Sequence, residues 1–87
     1  MITLLLADSN ELIRIGMRTI FKDSEFQVIG EASCTEELLS QVESFKPDVI
    51  LIDYTSDGFT VDAIPAAKAI SQNVKIVGIT PLQDAQT

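Results

Sequence analysis

Four short segments of the chain consist almost entirely of apolar residues and show little polar alternation. Such segments are typical of strands buried on both faces, as in a parallel sheet covered by helices. They are Ile2–Ala7, Phe26–Ala32, Val49–Ile52 and Val74–Ile79. Gln27 and Glu31 interrupt the second segment, which indicates an edge strand with one face partly open to water. The pattern therefore predicts three interior strands and one edge strand.

Helical patterns fill the three intervals between these strands. The first interval opens with Asp8 or Ser9 as the predicted N-cap. The second begins with a capping-box pattern, Ser33-Cys34-Thr35-Glu36. The third predicted helix, Ala63–Ser71, requires Pro65 to lie in the first turn, where proline is tolerated.

Each predicted helix has an apolar face that we expect to pack on the sheet. The residues of these faces are Leu12, Gly16, Met17, Ile20 and Phe21 in the first helix, Leu38, Leu39, Val42 and Phe45 in the second, and Ile64, Ala67 and Ile70 in the third. Strands and helices thus alternate as β-α-β-α-β-α-β with short turns. This alternation calls for parallel strands joined by right-handed crossovers, so the predicted fold class is a doubly wound α/β sheet.

Composition narrows the classes of function. The chain has 87 residues, which is one small domain, and its net charge of −7 disfavours direct binding to nucleic acid or anionic membranes. With no histidine and a single cysteine, Cys34, the chain cannot form an internal disulfide, a Cys/His zinc site or a histidine-dependent catalytic triad. No apolar run approaches about 18 residues and no basic signal-peptide region precedes the first strand, so a cytoplasmic protein is expected.

Oxygen-bearing side chains follow three of the predicted strands: Asp8, Asp53 and Thr80. The carboxyl ends of parallel strands share one rim of the sheet, where folds of this kind bind ligands. If the first and third strands are neighbours, Asp8 and Asp53 face each other there. Two carboxylates form a hard-oxygen site suited to Mg²⁺, and a carboxylate can also accept a phosphoryl group. Taken alone, Asp53 is better explained as a turn-forming residue, and the functional interpretation depends on the rest of the sequence.

Four segments together resemble a response-regulator receiver domain, and their order and spacing carry the resemblance over essentially the whole chain. They are Leu4-Leu5-Leu6-Ala7-Asp8, the helical segment 12–18, Lys46-Pro47-Asp48-Val49-Ile50-Leu51-Ile52-Asp53 and Ile79-Thr80. The first two are most similar to the NarL/FixJ subgroup, in which a receiver precedes a helix-turn-helix DNA-binding domain. The resemblance implies a flavodoxin-like (CheY-like) fold with the strand order 2-1-3-4-5.

The resemblance also implies roles for individual residues. Asp53 would be the phosphoryl acceptor and a ligand of Mg²⁺, and Asp8 would belong to the same acidic metal pocket. The backbone carbonyl of Thr55 would bind the metal, and the Thr80 hydroxyl would move to meet the phosphate. The phosphodonor would be a histidine kinase or a phosphotransfer protein. The receiver, not itself an enzyme, would control a transcriptional output domain outside this chain.

The chain departs from the family pattern in several places. Ser9 stands where a second acid is usual, and Ser56-Asp57 stands where a methionine-proline pair commonly follows the acceptor. Pro81 replaces the small residue that usually follows the switch threonine. The family's fifth strand and helix, and its phosphate-binding lysine, have no counterpart. Residues 1–87 are therefore expected to form one receiver domain that is incomplete at its C-terminal end.

These departures leave two further hypotheses for the function. The first is a pseudo-receiver, which keeps the fold as an interaction module without phosphotransfer. The second, a small α/β enzyme or nucleotide binder, is weaker, because Asp8-Ser9-Asn10 stands where a glycine-rich phosphate loop would follow the first strand. The fourth strand is apolar on both faces, so without a fifth strand we expect it to pair with a second copy in a homodimer or to exchange segments.

Overall fold

The predicted strands and helices are present in the computed structural model, which describes residues 1–79. In chain order they are β1 (Ile2–Ala7), α1 (Glu11–Phe21), β2 (Phe26–Ala32), α2 (Thr35–Phe45), β3 (Val49–Ile52), α3 (Ala63–Ile70) and β4 (Lys75–Gly78). The first three strands have the predicted bounds, whereas β4 is one residue shorter at each end than its apolar segment. The alternation of strands and helices confirms the α/β fold class.

All four strands are parallel, in the order β2-β1-β3-β4. β1 and β3 therefore lie side by side in the middle, with Leu4 opposite Val49 and Ala7 opposite Ile52. β2 forms one edge, as its polar interruptions predict, and its register with β1 shifts at Ile29. β4 is the outer strand on the other side within residues 1–79, and its pairing with a second copy stays a prediction.

The main hydrophobic core brings the sheet together with α2 and α3. Its fully buried members are Leu5, Ala7, Ala32, Leu38, Val42, Ile50, Ile52, Ala63, Ala67 and Val74. Each buried leucine, isoleucine or valine of this core contributes about 1.5–3 kcal/mol relative to an exposed side chain. Because Ala63 and Ala67 are both fully buried, α3 approaches its neighbours closely, as its alanine-rich sequence predicts.

Helix α1 differs most from the prediction. Right-handed crossovers place it on the face of the sheet opposite α2 and α3, where it packs against β1 and β2. Met17 and Phe21 are half-buried as expected, but Gly16 is exposed, and Leu12 and Ile20 are 77% and 74% exposed. The expectation that these three residues pack on the sheet was wrong. Apolar residues occur around most of α1, and only its side over β1 and β2 is covered within residues 1–79.

The predicted N-cap of α1 was also wrong. Asn10 caps the helix, not Asp8 or Ser9. The side-chain oxygen of Asn10 accepts hydrogen bonds from the N–H groups of Leu12 at 2.9 Å and Ile13 at 3.4 Å. These two bonds satisfy N–H groups that the first helical turn leaves without a backbone acceptor.

The capping box predicted for α2 does not form. Cys34 is the N-cap residue and its side chain makes no capping bond. Glu37, rather than Glu36, accepts hydrogen bonds from the Ser33 N–H at 2.7 Å and the Ser33 hydroxyl at 2.8 Å, and these bonds hold the pKa of Glu37 below its usual value. Pro65 lies in the first turn of α3, as expected. Within residues 1–79, the helices are too short to span a bilayer.

Candidate functional site

The carboxyl ends of β1 and β3 bring two aspartates to one rim of the sheet. Asp8 and Asp53 directly follow Ala7 and Ile52, which are paired in the strand register. The pairing extends one step further, because the Asp53 N–H donates to the Ala7 carbonyl at 2.9 Å. Both aspartates are largely buried, at 3% and 8% exposure. The prediction that they follow neighbouring strands is confirmed, while their chemical roles remain predictions.

A cavity of about 470 Å³ opens at this rim. Its lining residues are Asp8, Ser9, Asn10, Ile13, Met17, Asp53, Thr55, Ser56, Asp57 and Ile79. The cavity therefore combines the β1–α1 loop, the start of α1 and the loop after β3. It brings together three of the four site residues suggested by the sequence, namely Asp8, Asp53 and Thr55.

The backbone and side chain of Asp8 are fixed by three hydrogen bonds. Its N–H donates to the Ala32 carbonyl of β2 at 3.0 Å, and its Oδ1 accepts from the Asn10 N–H at 2.9 Å. Its carbonyl accepts from Nη1 of Arg14. No donor within residues 1–79 reaches Asp8 Oδ2. These bonds from β2, the β1–α1 loop and α1 hold Asp8 in place, and they leave one carboxylate oxygen without a protein partner in residues 1–79.

Asp53 shows the same division between its two carboxylate oxygens. Its Oδ1 accepts from both the N–H of Thr55, at 3.0 Å, and the hydroxyl of Thr55, at 2.5 Å. Among the described residues, none donates to Asp53 Oδ2. The family resemblance implied a role only for the backbone carbonyl of Thr55. In the structure, its N–H and hydroxyl orient the Asp53 carboxylate.

Ser56 connects the two loops that carry the aspartates. Its hydroxyl donates to the Asp53 carbonyl at 2.9 Å and accepts from the Ser9 N–H at 3.3 Å. Its own N–H donates to the same Asp53 carbonyl at 3.2 Å. The separation between Asp8 and Asp53 therefore depends on this serine as well as on the strand pairing.

The far end of the loop after β3 is anchored to the start of α2. Gly58 has a φ of +94°, and a Cβ atom at this position would lie 2.9 Å from the Ser33 carbonyl oxygen, so no other residue fits easily. The Thr35 N–H donates to the Gly58 carbonyl at 3.0 Å, and the Thr60 N–H donates to the Thr35 hydroxyl at 3.0 Å. The loop bearing Thr55 and Ser56 is thus held at both ends.

The oxygen atoms at the rim fit a hard divalent cation. Residues 1–79 contain no group of three histidine, cysteine or acidic side chains that could hold a metal. Mg²⁺, however, commonly takes only one or two carboxylates and keeps its remaining positions for water and phosphate. Asp8 and Asp53 supply those carboxylates, and the Thr55 carbonyl accepts no hydrogen bond within the described residues.

The fourth predicted site residue, Thr80, lies outside the described residues. The chain just before it reaches the rim, because Ile79 lines the cavity and its N–H donates to the Ile52 carbonyl at 2.8 Å.

Two residues contribute to the site although the sequence did not predict it. Arg14 was identified only as part of a segment that resembles the family, and Ser56 only as a departure from the family pattern. A local signal existed for Ser56, since serine near a turn often bonds to the backbone. The contact between Arg14 and the Asp8 carbonyl has no comparable signal in the sequence.

The family model of the response regulator receiver domain matches residues 4–87. Response regulator UvrY of Escherichia coli (strain K12) is 36% identical over 84 residues, which cover 92% of this chain and 38% of UvrY. Transcriptional regulatory protein LiaR of Bacillus subtilis (strain 168) is 35% identical over 88 residues, which cover 97% of this chain and 41% of LiaR. The chain thus spans less than half the length of these relatives.

The fold is also shared with solved structures. A two-component response regulator of the LuxR family from Aurantimonas sp. SI85-9A1 superposes with a TM-score of 0.83 at 23% identity, covering 94% of this chain and 60% of that protein. The sheet order, the family match and the relatives together confirm the CheY-like fold and the NarL/FixJ-type resemblance. The chain therefore belongs to the response-regulator receiver domain family.

Proposed function

We propose that the chain is a phosphorylation-controlled signalling domain in which Asp53 accepts a phosphoryl group from a histidine kinase or a phosphotransfer protein. The arrangement of the Asp53 carboxylate is the observation that carries this proposal. Thr55 holds Oδ1 through two hydrogen bonds, so Oδ2 is left as the nucleophile. The cavity that Asp53 shares with Asp8 provides room for the incoming group.

In the proposed step, Asp53 Oδ2 attacks the phosphorus of a phosphohistidine on the donor protein. The O–P bond forms as the P–N bond breaks, and the bonding electron pair leaves with the imidazole nitrogen. The donor supplies the histidine, which fits a chain that contains none.

The rim residues support this chemistry by position and charge. Asp8, Asp53 and the Thr55 carbonyl would hold Mg²⁺, which when bound neutralises negative charge on the phosphoryl oxygens. Ser56 keeps the Asp8 and Asp53 loops together through its bonds to Ser9 and Asp53. Thr55 prevents rotation of the carboxylate by holding Oδ1.

The output belongs to the proposal as well. Phosphorylation would draw the Thr80 hydroxyl toward the phosphate and change the contacts that the domain makes with its partners. The likeness to UvrY and LiaR supports control of a transcriptional output domain, which this segment would influence without binding DNA itself. We place the domain in the cytoplasm and assign it a signalling role rather than an enzymatic one.

The test compares two aspartates on opposite rims. Asp53→Asn should abolish the gain of one phosphoryl group, measured by intact-mass spectrometry after incubation with phosphoramidate and Mg²⁺. Asp48→Asn is the matched control, because Asp48 bonds to Thr3 at the start of β1, far from the cavity. It should be phosphorylated like the wild type. Equal phosphorylation of the Asp53→Asn protein would rule out the assignment.

The second candidate is a pseudo-receiver that acts through constitutive contacts. The observation that favours it is Ser9, whose N–H bonds to the Ser56 hydroxyl and whose side chain brings no charge to the rim. A titration with Mg²⁺ and beryllofluoride, which imitates a phosphoryl group, separates the two functions. A phosphorylatable domain should bind beryllofluoride in an Asp53-dependent manner, whereas a pseudo-receiver should not bind it.

A further inference from the structure

Arg14 connects the β1–α1 loop to the edge of the sheet. Its Nη1 donates to the Asp8 carbonyl, and its Nε donates to Glu31 Oε1 of β2 at 2.9 Å. The side chain is only 14% exposed, so these bonds are partly shielded from water. Charge-assisted hydrogen bonds in such a setting are stronger than bonds between neutral groups.

Arg18 provides a natural comparison on the same helix. It binds the other carboxylate oxygen of Glu31 at 2.6 Å, but it is 49% exposed. Within residues 1–79, Arg18 makes no hydrogen bond to Asp8 or to any other residue of the rim. The two arginines thus share the partner Glu31, whereas Arg14 is the more buried of the two and alone bonds to the Asp8 carbonyl.

We infer that Arg14 is a positioning residue for the cation and phosphoryl pocket, an inference that rests on the proposed function. The Asp8 carbonyl belongs to the residue whose carboxylate faces the pocket. With the N–H held by Ala32 and Oδ1 held by the Asn10 N–H, the bond from Arg14 completes the fixation of Asp8. Arg14 thereby holds in place a residue that lines the cavity.

The sign of one measurement separates positioning from simple electrostatics. Arg14 carries a positive charge close to a site proposed for a divalent cation, and like charges repel. If the charge were its only influence, removal of Arg14 would tighten Mg²⁺ binding. If Arg14 positions Asp8, its removal weakens Mg²⁺ binding in spite of the lost repulsion.

The experiment is a calorimetric titration of the 87-residue chain with Mg²⁺ at constant ionic strength. Arg14→Gln should weaken the affinity about two- to tenfold, the equivalent of one hydrogen bond. Arg18→Gln, which loses the same charge and a bond to the same glutamate, should bind Mg²⁺ as tightly as the wild type or slightly more tightly. Unchanged or tighter binding by Arg14→Gln would overturn the inference.

Arg14→Lys keeps the charge but cannot reproduce the fork that reaches Asp8 and Glu31 together. It should also bind Mg²⁺ more weakly, and wild-type affinity in this variant would overturn the inference even if Arg14→Gln failed to fold. Amide hydrogen exchange of the metal-free proteins gives a second readout. The Ser9 and Asn10 amides should exchange faster in Arg14→Gln than in Arg18→Gln, and equal rates would contradict positioning.

The outcomes also distinguish this inference from the proposed function. Mg²⁺ binding by the wild type with equal affinity in Arg14→Gln would overturn the role of Arg14 alone. A wild-type chain that does not bind Mg²⁺ would overturn the proposed function and this inference together.

Discussion

The close packing around Gly30 gives a quantitative prediction. Gly30 lies in β2, and a Cβ atom at this position would be 2.4 Å from Gln41 Oε1 and 2.8 Å from Leu5 Cδ1. It would also be 3.1 Å from a ring carbon of Phe45. Leu5 is fully buried in the core, so its side chain can shift only against other core residues. A shift of the Gln41 amide would disturb the bond from its Nε2 to the Glu31 carbonyl, which is 2.7 Å long.

Three contributions determine how much Gly30→Ala changes the free energy of unfolding. Overpacking of this kind costs about 1–3 kcal/mol, and loss of the Gln41 bond costs about 0.5–1.5 kcal/mol. Alanine reduces the conformational entropy of the unfolded chain relative to glycine, and this offsets about 0.4–1 kcal/mol of the loss in stability. We therefore expect a net loss of roughly 0.5–4 kcal/mol in the free energy of unfolding.

Gly16→Ala is the matched control, because it is the same substitution in open space. Gly16 is exposed on α1, and a Cβ atom there would meet no atom within 4 Å. Alanine in a helix interior is favoured over glycine by about 0.5–1 kcal/mol. The two variants should therefore move stability in opposite directions.

Urea denaturation followed by circular dichroism measures both free energies, and thermal melts give an independent check. A change of 1 kcal/mol corresponds to roughly 4–8 °C in Tm for a domain of this size. Gly30→Ala should melt below the wild type and Gly16→Ala above it. A Gly30→Ala protein at least as stable as the wild type would refute the reasoning, since it would mean that the core around Leu5 and Gln41 yields at little cost.

Three further predictions concern the rim, the opposite end of β1 and the outer strand. Ser9→Asp should tighten Mg²⁺ binding by about 1–3 kcal/mol, because it adds a charge beside a divalent cation; equal affinities by calorimetry would place Ser9 outside the coordination sphere. The Thr3 N–H and hydroxyl both donate to Asp48 and hold the pKa of Asp48 below its usual value, so Thr3→Ala should raise that pKa in an NMR titration. A carboxyl group with a lowered pKa stabilises the folded state at pH values above its unfolded-state pKa. This stabilisation is lost as the pH falls through the folded-state pKa, so the stability advantage of the wild type over Thr3→Ala should shrink in acid. β4, with Val77 exposed, should pair or exchange with a second copy, and sedimentation should show the mass rising with concentration; a monomer throughout would contradict this.

The central strands and the paired aspartates could be predicted because their signals are local and strong. Val49–Ile52 is continuously apolar and is bounded by Pro47-Asp48 and by Asp53, so both of its ends are marked in the sequence. Asp8 and Asp53 follow two such strands, and parallel strands end at the same rim. Their meeting therefore required only the strand order, which the family resemblance supplied.

The details of the loops could not be predicted in the same way. Asp8, Ser9 and Asn10 are all good N-cap residues, and the sequence alone does not choose among them. In the structure the helix begins at Glu11, so Asn10 is the N-cap, and the Asp8 side chain bonds to the Asn10 N–H instead. The contact between Ser56 and the Ser9 N–H joins residues far apart in the chain, so it depends on how the two loops pack.

The exposure of apolar residues on helix α1, which the sequence pattern did not predict, has a consequence for function. Since none of its residues is fully buried, hydrophobic packing within residues 1–79 fixes the helix only weakly. Its position depends correspondingly more on polar contacts: the Asn10 cap, the bonds of Arg14 to Asp8 and Glu31, and the bond of Arg18 to Glu31. The same helix lines the cavity with Ile13 and Met17. Through these contacts and through Ile13 and Met17, α1 belongs to the site as well as to the scaffold.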